Sequence, residues 1–96
     1  MKIYVLSGHC GEWDEFREWT VRAYEDKILA QLAADTLNDK IEEWSAIMNT
    51  LNTYEEREAL NEQYEAALEE LDPGVSLDHD TQYQVYELEL VSALTI

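Results

Sequence analysis

Imidazole, thiolate and carboxylate side chains are zinc and iron ligands, and this chain groups them at two places, His9-Cys10 and Asp78-His79-Asp80. Two histidines and one cysteine build a site only if two distant loops meet. Neither cluster has the paired ligand spacing of a metal motif, so no metal and no other cofactor is expected. Cys10 as a nucleophile with His9 or His79 as its base is weaker still, because adjacent residues at a strand end point apart and nothing fixes a third group. Carboxylates are too numerous for an acid–base pair to stand out, since without a pocket every surface Glu would qualify. The expectation is a protein that binds and does not catalyse, with a metal-dependent enzyme as the outlying alternative.

The binding chemistry is acidic. From Glu58 to Ile96 there are ten Asp and Glu and no Lys or Arg. Glu58, Glu62, Glu65, Glu69 and Asp72 step by four and three residues, with Glu70 beside them, and each of the four stepping glutamates lies two positions from an apolar residue. On a helix this sets a negative charge about every 5 Å, comparable in linear density to a nucleic-acid backbone. A basic DNA-binding groove is the surface such a row fits, and Glu55, Glu56, Glu87 and Glu89 extend it. The plainer reading is a solvated helix face, but ordinary solvated faces mix both signs. A second contact candidate is the loop Gly8–Phe16, where Trp13 beside Asp14 and Glu15 can anchor in a partner's pocket with a basic rim. In so small a domain the commoner outcome is that Trp13 and Phe16 fold back to finish the core.

These side chains need a scaffold. Lys2–Ser7 and Arg17–Tyr24 read as two strands of a hairpin, the second alternating Trp19, Val21, Ala23 against Thr20, Arg22, Tyr24. From Asp26, the expected N-cap, Leu29, Ala33, Leu37, Ile41, Trp44, Met48 and Leu51 recur at helical spacing. A break is predicted between Asn49 and Thr53, because Thr53-Tyr54-Glu55-Glu56 has the form of a capping box. The second helix carries Leu60, Tyr64, Ala67, Leu68 and Leu71 inward and ends at Asp72-Pro73-Gly74. A loop from Pro73 to Thr81 leads to a last strand, Gln82–Val91, with Tyr86, Leu88 and Leu90 alternating with Glu87 and Glu89. The order ββααβ implies an α+β domain over residues 1–96, a three-stranded sheet with a helical hairpin across one face. A helix from Asp26 to Leu51 spans roughly 39 Å and a seven-residue strand about 23 Å, so part of the hairpin should overhang. The C-terminal Val91–Ile96 extends the strand, packs on the sheet or joins a dimer contact.

Twenty-two acidic and six basic residues give a net charge of −16. Such acidity argues against direct nucleic-acid binding and against anionic membranes, both of which reward Lys and Arg. A basic protein or a cation is the favoured partner. A disordered acidic tail is countered by 46% hydrophobic residues, three Trp and six Tyr, which suffice for a core. The acids follow helical faces, unlike the even spread expected of a halophilic surface. With Cys10 as the one cysteine, no intramolecular disulfide forms, and the opening apolar run is too short for a signal peptide, so a cytoplasmic setting is expected.

Lys2-Ile3-Tyr4-Val5-Leu6-Ser7-Gly8, Gly11-Glu12-Trp13-Asp14-Glu15 and Glu18-Trp19-Thr20-Val21-Arg22-Ala23-Tyr24, followed by Asp26 and Ala30, resemble a type of small phage or prophage protein of unassigned function. The resemblance covers the first third of the chain and implies a viral or bacterial cytoplasmic setting, without a reaction. Small acidic phage proteins include inhibitors of host defence, some acting as DNA mimics, an analogy independent of fold. The expected function is therefore to bind and block a basic, nucleic-acid-binding surface of a host defence protein. The alternative is an oligomerisation module whose helical hairpin pairs with a second copy, the acids keeping the homodimer in solution.

Overall fold

The computed structural model describes residues 1–89, so Leu90 and Val91, expected in the last strand, and the expected contacts of Val91–Ile96 lie outside the described residues. The elements are β1 (Lys2–Cys10), a 3-10 turn (Trp13–Glu15), β2 (Arg17–Tyr24), α1 (Lys27–Met48), α2 (Tyr54–Leu68) and β3 (Gln82–Glu89). The order ββααβ and the α+β class are as expected. The sheet is antiparallel with order β2-β1-β3, which places β1 in the middle and buries Val5, Leu6 and Ser7. No helix among the described residues is long and apolar enough to cross a membrane.

One irregularity redirects β2. Ser7 pairs with Thr20 but Leu6 pairs with Arg22, so β2 carries one extra residue at a bulge. Trp19 and Val21 face the helices before it and Tyr24 does so after it, which moves Ala23 to the opposite face. The strict alternation expected of Trp19, Val21 and Ala23 therefore fails at its third member. On β3 the inward residues are Tyr83 and Val85, so Tyr86 and Leu88 point away from the helices.

Asp26 caps α1, its Oδ1 accepting from the N–H groups of Ile28 (2.8 Å) and Leu29 (3.4 Å). The helix buries Ala30, Ala33, Ala34, Leu37, Ile41 and Trp44. Three alanines in its first half let the backbone lie close to the sheet. Leu29, expected on this stripe, is 55% exposed because Ala30 and Ala34 define the inward direction.

Thr53 caps α2, its Oγ1 accepting from the Glu56 N–H at 3.2 Å. The Glu56 carboxylate accepts a hydrogen bond from the Thr53 hydroxyl at 2.8 Å, a shorter loop than the reciprocal bond to the backbone that a full capping box makes. α2 lies against α1, with Trp44 Nε1 donating to Asn61 Oδ1 (2.9 Å) and the Tyr64 hydroxyl to Glu43 Oε1 (2.7 Å). The sheet is covered by α1, and α2 makes no close approach to the strands along its backbone. Its last residue, Leu68, alone reaches the buried cluster of Leu6, Leu37 and Tyr83. The helical hairpin thus packs on one face of the sheet as expected, with α1 lying on the strands and α2 seated on α1. The long dimension of the fold is 59 Å.

Candidate functional site

Glu58, Glu62, Glu65 and Glu69 fall within about 60° of one another on α2, taking 100° per residue. All four are exposed, as is Glu70, and none is ion-paired among the described residues. The row does not stand opposite the packed side of the helix but on its flank. There Glu58, Glu62 and Glu65 line a groove of about 480 Å³ with Met48, Tyr54, Arg57 and Asn61. Arg57 is the cation of this groove, and its guanidinium donates to the Leu51 carbonyl at 3.0 Å, spending part of its charge on the turn between the helices. The Tyr54 phenol is pushed above its ordinary range by its hydrogen bond to the Glu58 carboxylate and by that negative charge. The arrangement is a negative flank with an amphipathic floor.

Asp72 does not belong to that row. It lies beyond the end of α2, where Leu71 and Asp72 both donate their N–H groups to the Leu68 carbonyl (3.0 and 2.9 Å), and it is 1% exposed. Its Oδ2 accepts from Trp19 Nε1 (2.9 Å) and the Tyr83 hydroxyl (2.7 Å), and its Oδ1 from the Gly74 N–H (2.9 Å). Three donors compensate for withdrawing a carboxylate from water. Burial, and then the hydrogen bond to Asp72 with its negative charge, drive the Tyr83 phenol far above its usual range. Gly8, between Trp19 and Tyr83 on the central strand, leaves room for the Trp19 ring, which meets Tyr83 edge to face: a Cβ there would come within 2.6 Å of the Trp19 ring. The acidic step from Glu69 to Asp72 is the same in sequence whether the last carboxylate is solvated or buried. The signal that separates them is its place beside Pro73-Gly74, where the chain turns inward.

Glu87 and Glu89 are also set apart from the row. They lie on β3, with Glu87 3.6 Å from Lys2 Nζ and Glu89 3.3 Å from the terminal amine of Met1.

Trp13 is 92% exposed, so the expectation that it folds back into the core is not met. It holds a left-handed φ of 55°, next but one to Gly11 at φ 86°, and this tight turn aims the indole outward. Phe16 is half exposed against the His9 ring, their centroids 5.9 Å apart. Asp14 and Glu15 are exposed and line a recess of about 400 Å³ with Cys10, Gly11, Arg17 and Asp78. Gly11 N–H donates to Asp80 Oδ2 at 2.9 Å, so the two loops do meet. Their nitrogen and sulfur atoms nevertheless diverge. Cys10 is buried under the Arg17 guanidinium (3.3 Å), while His79 turns to the Ser45 hydroxyl and to the Trp44 ring, 5.0 Å away. Among the described residues no group of three or more His, Cys, Asp or Glu is placed to hold a metal ion.

The Ser45–His79 pair, in a cavity of about 490 Å³ with Asn38, Glu42 and Gln82, escapes sequence reading because its members are 34 residues apart on a helix and a loop. Stacking on Trp44 fixes the imidazole, and among the described residues no carboxylate is hydrogen-bonded to it. The pair ties the 69–81 connection to α1. No family model, curated protein or solved structure matches this chain.

Proposed function

We propose that this is a non-enzymatic protein of phage type that binds a basic, nucleic-acid-binding surface of a host defence protein and blocks it, offering carboxylates where that surface takes phosphates. The observation that carries this reading is the unpaired row Glu58, Glu62, Glu65 and Glu69 on the flank of α2, with Glu70 at its end. Like charges at four-residue spacing cost an isolated helix about 0.2–0.5 kcal/mol per pair, a cost that a cationic partner turns into attraction. The groove beside the row adds Met48 and Tyr54, apolar surface for the stems of Lys and Arg side chains. Trp13, Asp14 and Glu15 form a second contact point, an indole with acids beside it.

The test is charge reversal of Glu58, Glu62, Glu65 and Glu69 to Lys, which takes the net charge from −16 to −8 because each reversal is worth two units. The variant is expected to fold with unchanged or slightly raised stability. In a pull-down from host lysate the unaltered protein should recover a basic partner at low salt and lose it at high salt, and the variant should recover none. A folded variant that still captures the partner would remove the row from the interface and leave the Trp13 loop as its site.

A further inference from the structure

The sheet has two faces and the described helices cover one. Leu6, Trp19, Val21, Tyr24, Tyr83 and Val85 all belong to the cluster beneath α1, so by the two-residue period of strands Ile3, Val5, Ser7, Ala23, Gln84, Tyr86 and Leu88 lie on the other face. The central residues Val5 and Ser7 are buried, whereas on the flanking strands Thr20, Ala23, Gln84, Tyr86 and Leu88 are exposed. Tyr86 at 39% and Leu88 at 46% are large apolar side chains turned to water.

The charge on this face is as informative as its apolarity. On a chain of net −16, the strand charges Lys2, Arg17, Glu87 and Glu89 take the helix side by register, and Arg22 sits at the bulge opposite Leu6. Glu18, paired with His9 at the far end, is the charged strand residue on the side that the described helices leave open. Apart from Glu18 at its end, this face offers a cationic partner no strand carboxylate to grip. Two copies of this chain, which repel through their net charge of −16, can meet there with Glu18 as the one strand carboxylate on each face. The relief also suits a two-fold arrangement. Tyr86 and Leu88 make a ridge along β3, while Ser7, Thr20 and Ala23 leave a low floor over β1 and β2, so each ridge can fill the other copy's floor.

We infer that the protein self-associates through this face, sheet on sheet, into a four-layer α-β-β-α homodimer that leaves both α2 flanks outward. This surface is not the helical hairpin that the sequence suggests for a dimer. Three strands about 4.8 Å apart and eight residues long offer roughly 400 Å² per copy. Two such patches total less than the ~1,200 Å² of a standard stable interface, so the dimer is a concentration-dependent one. The inference does not rest on the proposed partner.

The test is sedimentation of the full chain across a wide concentration range, alone and with Tyr86 and Leu88 both changed to Glu. The weight-average mass of the unaltered protein should climb from 11.2 kDa toward twice that value. It should climb further at high salt, because screening relieves repulsion between the copies. The double variant, which puts two like charges into each face, should stay at the monomer mass under all conditions with an unchanged melting curve. Ala23→Glu tests the same face from β2 should the double variant fail to fold. A monomer at every concentration would overturn the inference, as would a dimer that survives both changes. So would a variant destabilised as a monomer from an unaltered protein that never dimerises, since the face would then be covered within one chain.

Discussion

Asp72 is a solvated contact by its spacing and a core residue by its partners, and its chemistry now belongs to stability. Changing it to Ala strands the Trp19 and Tyr83 donors and should cost about 2–4 kcal/mol, read as a fall in the urea midpoint. An unchanged midpoint would mean that water replaces the carboxylate without loss. Its partner Tyr83 makes a linked prediction about pH. The buried phenol ionises far higher in the fold than its ordinary value of 10.0 in the unfolded chain. Its stabilising contribution is therefore complete below pH 10 and is lost as the pH climbs above it. Tyr83→Phe should be less stable at neutral pH and should show a shallower decline between pH 10 and 11. Equal slopes for the two proteins would place the alkaline sensitivity elsewhere.

At the scale of elements, the caps are what the sequence states most directly. Asp26 and Thr53 each stand one residue before an apolar period, and both accept N–H bonds where a helix begins. Thr53→Ala should therefore lower stability by about 1 kcal/mol in a denaturant melt while leaving the oligomeric state alone. No change would show that Glu56 caps α2 without the hydroxyl. Hydrophobic period was enough for ββααβ because each element's side chains repeat within itself. It was not enough for what depends on two elements at once. The bulge opposite Leu6, which exchanges the faces of Ala23 and Tyr24, is a property of a strand pair. The seating of α2 on α1 is decided by Trp44–Asn61 and Glu43–Tyr64, contacts no single stripe encodes. The acidic row could be read in advance because it needs only one helix, whereas its place on the flank depends on how α2 seats on α1 and the outward Trp13 needed the turn geometry at Gly11.

For the whole molecule, twenty-two acids against six bases mean that folding brings like charges together. The ion pairs among the described residues, Met1–Glu89, Lys2–Glu87 and Lys40–Glu43, are all exposed and offset little of this. The melting temperature should rise as sodium chloride increases from low to moderate concentration, most of the gain coming before the Debye length falls to about 10 Å near 0.1 M. A flat profile would show that the acids are too far apart to strain the fold. The attachment of α2 has a further result. Held by α1 along its side and by Leu68 at its end, but not by the strands, it is the least supported of the described α-helices and strands. Local opening should begin there while the β1-centred sheet remains closed. A partner that clamps the glutamate flank would then be gripping the loosest unit of the fold, and its binding would suppress that opening.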